Sequence, residues 1–458
     1  MFKKVLVANR GEVAVRIIRT LKEMGIASVA IYSTADKDSL HVQIADEAIT
    51  VGGPRPKDSY LNMKNILSAA LLTGADAIHP GYGFLSENSL FAEMVGEVGI
   101  TWIGPKPETI DLMGNKEHAR ESMKVAGVPV IPGSDGFVHN FDEAKTVADR
   151  IGYPLLLKAS AGGGGKGMRF VYSESELSDK FDDAQNEARA AYGDDHMYIE
   201  KVMQQVRHIE VQIFRDQQGH TIYLPERNCS LQRKNQKVLE ESPATGITDA
   251  MRADLGKIAT TAADAVGYIN TGTIEFLEDR DGNFYFMEMN TRIQVEHPVT
   301  EMVTGLDLIK LQIQVAAGEN LPVTQDEVQV QGHSIESRLN AERPAAEFAP
   351  SAGTIDFVFL PTGGPGVRLD TAVFSGDKIQ PFYDSMIGKV IVHADDRGQA
   401  IAKLQRVLGE ISIKGIETNR TFQQALVSDP QVQRGDFNTR YLETEFLPRW
   451  SESLPGTE

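Results

Sequence analysis

The chain has 458 residues, 41% of them hydrophobic, with 46 Lys and Arg against 64 Asp and Glu and a formal net charge of −18. That length holds about three domains at ~150 residues each, and the acidic balance excludes nucleic acid or an anionic membrane as the main partner, so an anionic substrate must be met by local clusters of Lys and Arg. The one cysteine, Cys229, excludes an internal disulfide and any multi-cysteine zinc site. No apolar run reaches the ~18 residues of a membrane span, and the chain enters a strand at Lys4 without a signal-peptide pattern, so the cytoplasm is the expected location.

From residue 5 to about 98 strands and helices alternate: a strand from Val5, a helix over 13–24, strands over 28–32 and 75–78, then another helix. This predicts a doubly wound parallel sheet. The first turn, Asn9-Arg10-Gly11-Glu12-Val13-Ala14, lies where a dinucleotide fingerprint would be. It lacks G-x-G-x-x-G and carries Glu12 where a pyrophosphate would sit, which excludes NAD there. The loop His79-Pro80-Gly81-Tyr82-Gly83-Phe84-Leu85-Ser86-Glu87-Asn88 follows a strand end, the place where open α/β sheets bind ligands. A Gly/Pro turn without a ligand accounts for the same residues equally well.

A second unit runs from about 114 to 318. In it, an apolar strand ending at Lys158 and a β-rich segment from Met168 flank four glycines, 162–165, followed by Lys166-Gly167. The hydroxyl residue and following helix of an ordinary phosphate loop are missing. The segment instead reads as a flexible lid whose backbone N–H groups approach phosphate oxygens, with Lys158 and Lys166 supplying charge. Further on, Asn228 to Lys237 is a basic cluster in an acidic chain, a solvated surface or an anion site with Lys237 its best candidate. Cys229 within it is expected to be a small buried residue rather than a nucleophile.

The sharpest pattern is a hairpin over 271–290, with its turn at Asp281-Gly282. A register centred between those two residues sets Glu275 opposite Glu288, and like charges so placed call for a cation between them. Two carboxylates with Asn290 make a hard oxygen site suited to Mg²⁺. A register slip would leave one glutamate in solvent. Beyond it, Arg292, Gln294 and Glu296 share one face if the segment is extended, a set suited to holding and deprotonating a small oxyanion. After a polar connection over 319–332 comes a third unit rich in short strands, among them 367–369 and 387–391.

The glycine run, the Glu275/Glu288 pair and Glu288-Met289-Asn290-Thr291-Arg292-Ile293-Gln294-Val295-Glu296-His297 together resemble the ATP-grasp superfamily, and within it the biotin carboxylases. The resemblance extends from Ala8-Asn9-Arg10-Gly11-Glu12 through His79–Asn88 to Tyr383-Asp384-Ser385-Met386-Ile387-Gly388-Lys389. It implies an α/β ATP-grasp fold with a Rossmann-like N-terminal domain (1–113), an ATP-grasp domain (114–318) carrying a lid lobe at about 131–203, and a strand-rich α+β C-terminal domain (333–446).

By the same resemblance, Lys116, Lys158, Gly163, Gly164, Gly165, Lys166, Gly167 and Met168 would hold ATP phosphates. Glu200, Lys201 and Met203 would form the hinge that reads adenine, with His208, Gln232 and Asn235 lining the nucleotide site. Glu275, Glu288 and Asn290 would bind magnesium or manganese. Lys237, Arg292, Gln294, Val295 and Glu296 would hold bicarbonate, and Tyr82, Gly83 and Arg338 would meet biotin. Lys237, Arg292, Glu296 and Arg338 would be catalytic.

The implied activity is ATP- and bicarbonate-dependent carboxylation of biotin on a biotin carboxyl carrier protein, through carboxyphosphate. Its implied setting is the first half-reaction of acetyl-CoA carboxylase in fatty acid synthesis, in a homodimer working with carboxyltransferase subunits. Two positions depart from the family pattern. Asn235 stands where histidine is usual and cannot titrate near neutrality. Lys166 stands where Arg is common and loses the bidentate fork. The competing readings are an ATP-dependent carboxylate-amine ligase and a nucleotide-binding regulatory subunit without turnover.

Overall fold

The computed structural model describes residues 1–159, 168–192 and 196–453, without the side chains of 190–192. The glycines 162–165, with Lys166 and Gly167, lie outside the described residues. The chain divides into a larger unit, Met1–Val128 with Arg207–Phe276 and Glu288–Glu458, and a smaller one, Pro129–Val206 with Leu277–Met287.

In the larger unit the expected parallel sheet is present, with strand order Glu47–Gly52, Ala27–Ser33, Lys4–Val7, Ala77–His79 and Thr101–Trp102. Its central strands are apolar on both faces because helices cover both, whereas the edge strand Glu47–Gly52 is largely exposed. Val5 and Val7 face a core containing Ile17 and Leu21 of the helix Gly11–Glu23, whereas Leu6 faces one containing Ile66 and Phe91. That alternation makes the sheet doubly wound.

The loop after the strand Ala77–His79 is shaped by left-handed backbone. Gly81 has φ +63° and Gly83 φ +71°, and a Cβ on Gly81 would come within 3.0 Å of the Asn9 amide nitrogen. That amide donates to the carbonyls of Pro80 and Tyr82, both at 2.7 Å. Gly81→Ala is therefore expected to lower stability by about 1–2 kcal/mol, the cost of left-handed backbone for an L side chain. Urea unfolding checks it.

A nine-stranded sheet fills much of the remainder. Its order is Phe284–Asn290, Asn270–Glu278, Arg207–Arg215, Arg227–Arg233, Gln236–Ser242, His333–Asn340, Met386–Ala394 and Val367–Thr371, with Thr221–Tyr223 paired to Arg207–Arg215. The step from Gln236–Ser242 to His333–Asn340 is antiparallel and sets Leu239 opposite Ser337 and Glu240 opposite Glu336. Leu231, Leu239, Ile335 and Val390 pack with Leu404 and Phe422 of the helices Arg397–Glu410 and Arg420–Ser428, so one apolar core spans the chain's second and third segments.

The smaller unit holds a three-stranded sheet, with Leu155–Ala159 between Met168–Val171 and Met197–Lys201. Lys158 lies opposite Met168 and Leu155 opposite Val171, as the strand-loop-strand reading requires. Leu155, Leu157 and Ile199 pack on Ala144 and Ala148 of Phe141–Ile151 and on Leu177 and Phe181 of the helix that follows.

One expectation is corrected at the turn of the hairpin. Asp279 and Asn283 close it, with Asp279 N–H donating to the Asn283 carbonyl at 3.0 Å, and Gly282 takes φ +80°. The Asp279 carboxylate accepts the backbone N–H groups of Asp281 and Asn283, both at 2.9 Å. A three-residue loop with glycine in the left-handed position results. It centres on Asp281, half a residue from the expected point, so the turn alone does not set Glu275 opposite Glu288.

Candidate active site

The basic cluster is a hairpin. Arg227–Arg233 turns into Gln236–Ser242 through Lys234 and Asn235, whose φ values of +49° and +62° are those of a two-residue type I′ loop. Asparagine tolerates that backbone well, and Asn235 is exposed there. That loop pairs Arg233 with Gln236 and sets Lys237 opposite Gln232, with irregularities in the ladder only beyond that pair.

Lys237 is not on a solvated surface. Its ammonium lies 2.5 Å from Glu210, 2.9 Å from Glu275 and 2.6 Å from Glu296. Three buried carboxylates this close would repel strongly without a cation. Burial alone would lower the Lys237 pKa, but the carboxylates outweigh it and hold it well above the usual lysine value. Arg227, fully buried, adds a second cation, with Nε 2.5 Å from Glu210 and Nη2 donating to Gln294 at 2.6 Å.

Glu296 bridges two cations, since its other oxygen lies 3.1 Å from Arg338 Nη2. Burial alone would raise its pKa, but Lys237, Arg338 and Arg227 hold the carboxyl well below the usual carboxylate range. Arg338 also contacts Glu240 through Nε at 2.6 Å. Burial pushes Glu240 up to about 7 against the pull of Arg338.

Glu275 accepts from Asn290 at 2.8 Å and Gln294 at 2.7 Å, and its second oxygen lies 3.1 Å from His208 Nε2. Gln232 lies 2.9 Å from the other His208 ring nitrogen. Burial opposes ionisation of Glu275, yet Lys237 and His208 hold its pKa far below the usual range. Glu288 is half-exposed, and its carboxylate lies 3.3 Å from Lys116, the first residue of the helix Lys116–Val125.

Among the described residues two donor sets bring ligand atoms together, His208/Glu210/Glu275 and Glu210/Cys229/Glu296, but Lys237 already neutralises them. Glu275, Glu288 and Asn290 all offer oxygen, as a hard divalent cation requires; Glu288 pairs with the exposed Lys116, whereas Glu275 already holds Lys237 and Asn290 Oδ1 accepts from Arg292.

The segment before Glu296 departs from expectation. Residues 291–296 are not a strand but bends and a turn, and Glu296 caps the helix His297–Thr304. Arg292 pairs with Glu87, its Nε at 2.8 Å, and its Nη2 donates to Asn290 Oδ1 at 2.9 Å. The Val295 carbonyl accepts from Lys389 at 2.9 Å. Tyr82 donates its hydroxyl to Glu12, which is why Glu12 occupies the first turn, and Gly83 lies next to it in the same loop.

In the smaller unit Lys158 pairs with Glu200, Lys201 donates to the Tyr153 carbonyl at 2.8 Å, Met168 is exposed and Met203 half-buried.

Cys229 is fully buried, and burial with Glu210 nearby pushes its thiol well above the ordinary cysteine value. The native protein is therefore expected to resist iodoacetamide at pH 8 and to label completely when unfolded, as mass spectrometry would read.

Sequence reasoning passed over Glu210, Arg227, Glu240 and Lys389. A signal was available for the first: His208, Glu210 and Gln212 alternate with Ile209, Val211 and Ile213, a period-two polar row on one face of a strand.

This fold and this site define an ATP-grasp ligase. Residues 1–110 and 336–444 match the biotin carboxylase N-terminal and C-terminal domains, and residues 115–324 the ATP-binding domain of the carbamoyl-phosphate synthase L chain. Biotin carboxylase 1 of Bacillus subtilis is 54% identical, with 97% of this chain and 99% of that protein covered. Among solved structures, the biotin carboxylase domain dimer of Hydrogenobacter thermophilus 2-oxoglutarate carboxylase, with MgADP, ADP and bicarbonate, is 49% identical with a TM-score of 0.88, covering 97% of each chain. A biotin carboxylase subunit of pyruvate carboxylase is 48% identical with a TM-score of 0.88, covering 97% of this chain and 98% of that one. The chain belongs to the biotin carboxylase family, ATP-dependent ligases that carboxylate biotin using bicarbonate and magnesium.

Proposed function

We propose that this chain is a free-standing biotin carboxylase subunit that carboxylates biotin on a biotin carboxyl carrier protein, as a cytoplasmic homodimer serving acetyl-CoA carboxylase and its carboxyltransferase. Relatives at about this identity serve several carboxylases, and biotin carboxylase 1 of Bacillus subtilis, matched over 99% of its length, supports the choice. No helix among the described residues is long and apolar enough to cross a membrane. The domains are proposed as 1–113, 114–318 with a lid at about 131–203, and 333–446.

One observation carries the reading: Glu296 is held ionised between Lys237 at 2.6 Å and Arg338 at 3.1 Å, beside Glu275 and Gln294. A carboxylate so held is a weak base. Bicarbonate entering between it and the two cations takes over their contacts, and Glu296 regains basicity.

Glu296 then removes the bicarbonate hydroxyl proton. The oxygen so exposed attacks the γ-phosphorus of ATP, and the bond to ADP breaks, giving carboxyphosphate. Lys116, Lys158 and the lid residues through Met168 offset phosphate charge. Glu200, Lys201 and Met203 hold adenine, with His208, Gln232 and Asn235 alongside. Glu275, Glu288 and Asn290 would hold magnesium, which would supply charge neutralisation at the phosphates.

Carboxyphosphate splits to CO₂ and phosphate. Phosphate takes the N1 proton of biotin, and N1 bonds to CO₂. Arg292 and Arg338 stabilise the ureido anion, and Tyr82 and Gly83 seat the ring.

ADP release from the purified protein with MgATP and bicarbonate, with and without free biotin, tests this. Biotin stimulation that vanishes without bicarbonate is expected. Release indifferent to biotin would point to a carboxylate-amine ligase instead.

A further inference from the structure

Outside the residues assigned so far lies a row of charge buried under the N-terminal sheet's first helix. Lys389 stands on the strand Met386–Ala394, directly opposite Arg338 on one neighbouring strand and Asp370 on the other. Residues so paired share one face of a sheet. Lys389 is 0% exposed, although a buried ammonium is tolerated only when its donors are matched.

Its matches are specific. It donates to the Val295 carbonyl at 2.9 Å and lies 3.2 Å from Glu12 Oε1, with Asp370 at 3.9 Å. Asp370 is already paired with Arg368 at 2.6 Å, so Glu12 and Val295 are the direct contacts that depend on Lys389, while the buried Glu336 carboxylate, which has no hydrogen-bond partner among the described residues, feels its charge without contact. Glu12 in turn accepts the Tyr82 hydroxyl, and its other oxygen has no hydrogen-bond partner. Arg338, across the strand pair, touches Glu296.

We infer that Lys389 is a positioning residue that couples the bicarbonate and biotin subsites, holding the backbone at Val295 directly and the ring of Tyr82 through Glu12. This rests on the assignment of Val295 and Tyr82 under the proposed function. The ammonium itself touches no substrate. It fixes the distance between two subsites contributed by segments more than 200 residues apart in sequence, which matters because CO₂ formed at one must meet N1 at the other.

Lys389→Met alone would strand Glu12 as an unpaired buried carboxylate, so the test uses Lys389→Met with Glu12→Gln, which removes both charges together and keeps volume and the hydroxyl's acceptor. Michaelis constants for bicarbonate, free biotin and MgATP are measured on the full chain. The bicarbonate and biotin values are expected to rise about tenfold, equivalent to ~1.4 kcal/mol each, with the MgATP value within about twofold. A role confined to structure would lower kcat with the active fraction and leave all three constants alone, and that result would overturn the inference. If the unsubstituted chain shows no biotin stimulation, the functional reading falls and this inference with it. A stimulated parent whose double variant keeps both constants overturns the positioning role only.

Discussion

Lys237→Met is expected to remove turnover and to destabilise the fold together. The ammonium contacts three buried carboxylates, Glu210, Glu275 and Glu296, within 2.9 Å. Removing one partner of a buried ion cluster costs about 3–5 kcal/mol because the remaining charges stay desolvated. Losing a preorganised cation at the reacting oxyanion lowers kcat by about 10²–10³-fold. Urea unfolding and biotin-stimulated ADP release measure the two separately.

The pH dependence has a definite sign. Despite burial, Glu275 and Glu296 titrate far below the usual range in the folded protein because Lys237 lies between them. Their contribution to stability is present above the ordinary carboxylate pKa of about 4.3 and is lost as pH falls through the folded value. Without Lys237 the pull against burial weakens, leaving Arg338 and Arg227 to act on Glu296 and His208 on Glu275, so both folded values move up and less stability is linked to them. The stability gap between the two proteins should accordingly narrow as pH falls below about 4.3. A gap that is constant or widens would contradict the cage.

Glu296→Gln should abolish bicarbonate-dependent ADP release, by about 10²–10⁴-fold in kcat, while ATP binding measured by calorimetry stays within about twofold. The amide keeps the shape of the carboxylate but cannot accept a proton, and the Glu296 side chain makes no capping bond to His297–Thr304 that the change could break. Lys237 keeps Glu210 and Glu275, and Arg338 keeps Glu240 at 2.6 Å, so no cation is left without a partner. The stability loss should therefore be well below that of Lys237→Met. A variant that still turns over bicarbonate would show that another group is the base.

The parallel sheet was legible in the sequence because each strand is a short apolar run bounded by helical periodicity. The hairpin over 271–290 was legible from Asp281-Gly282, but its register was not: a three-residue loop and a two-residue loop differ by one residue, and only the hydrogen bonds of Asp279 distinguish them. The shared face of Arg292, Gln294 and Glu296 was conditional on an extended segment 291–296, and that condition is not met: their alternation mimics a strand face, but the segment bends into the helix His297–Thr304, with Pro298 in its first turn. The contact of Lys237 with Glu275 was not legible, because no spacing rule brings together side chains 38 residues apart.

The unbroken ladder from Gln236–Ser242 into His333–Asn340 has a consequence for how the gene can be divided. The polar connection over 319–332 looks like a hinge between separable modules, yet a product ending there would expose Leu239, Glu240 and Glu241 along a bare strand edge. Such an edge recruits other chains. The C-terminal piece would begin with the complementary edge, carrying Ile335 and Arg338. The two fragments are thus halves of one sheet, and an expression boundary belongs after Ser242 has met its partner strand, not before.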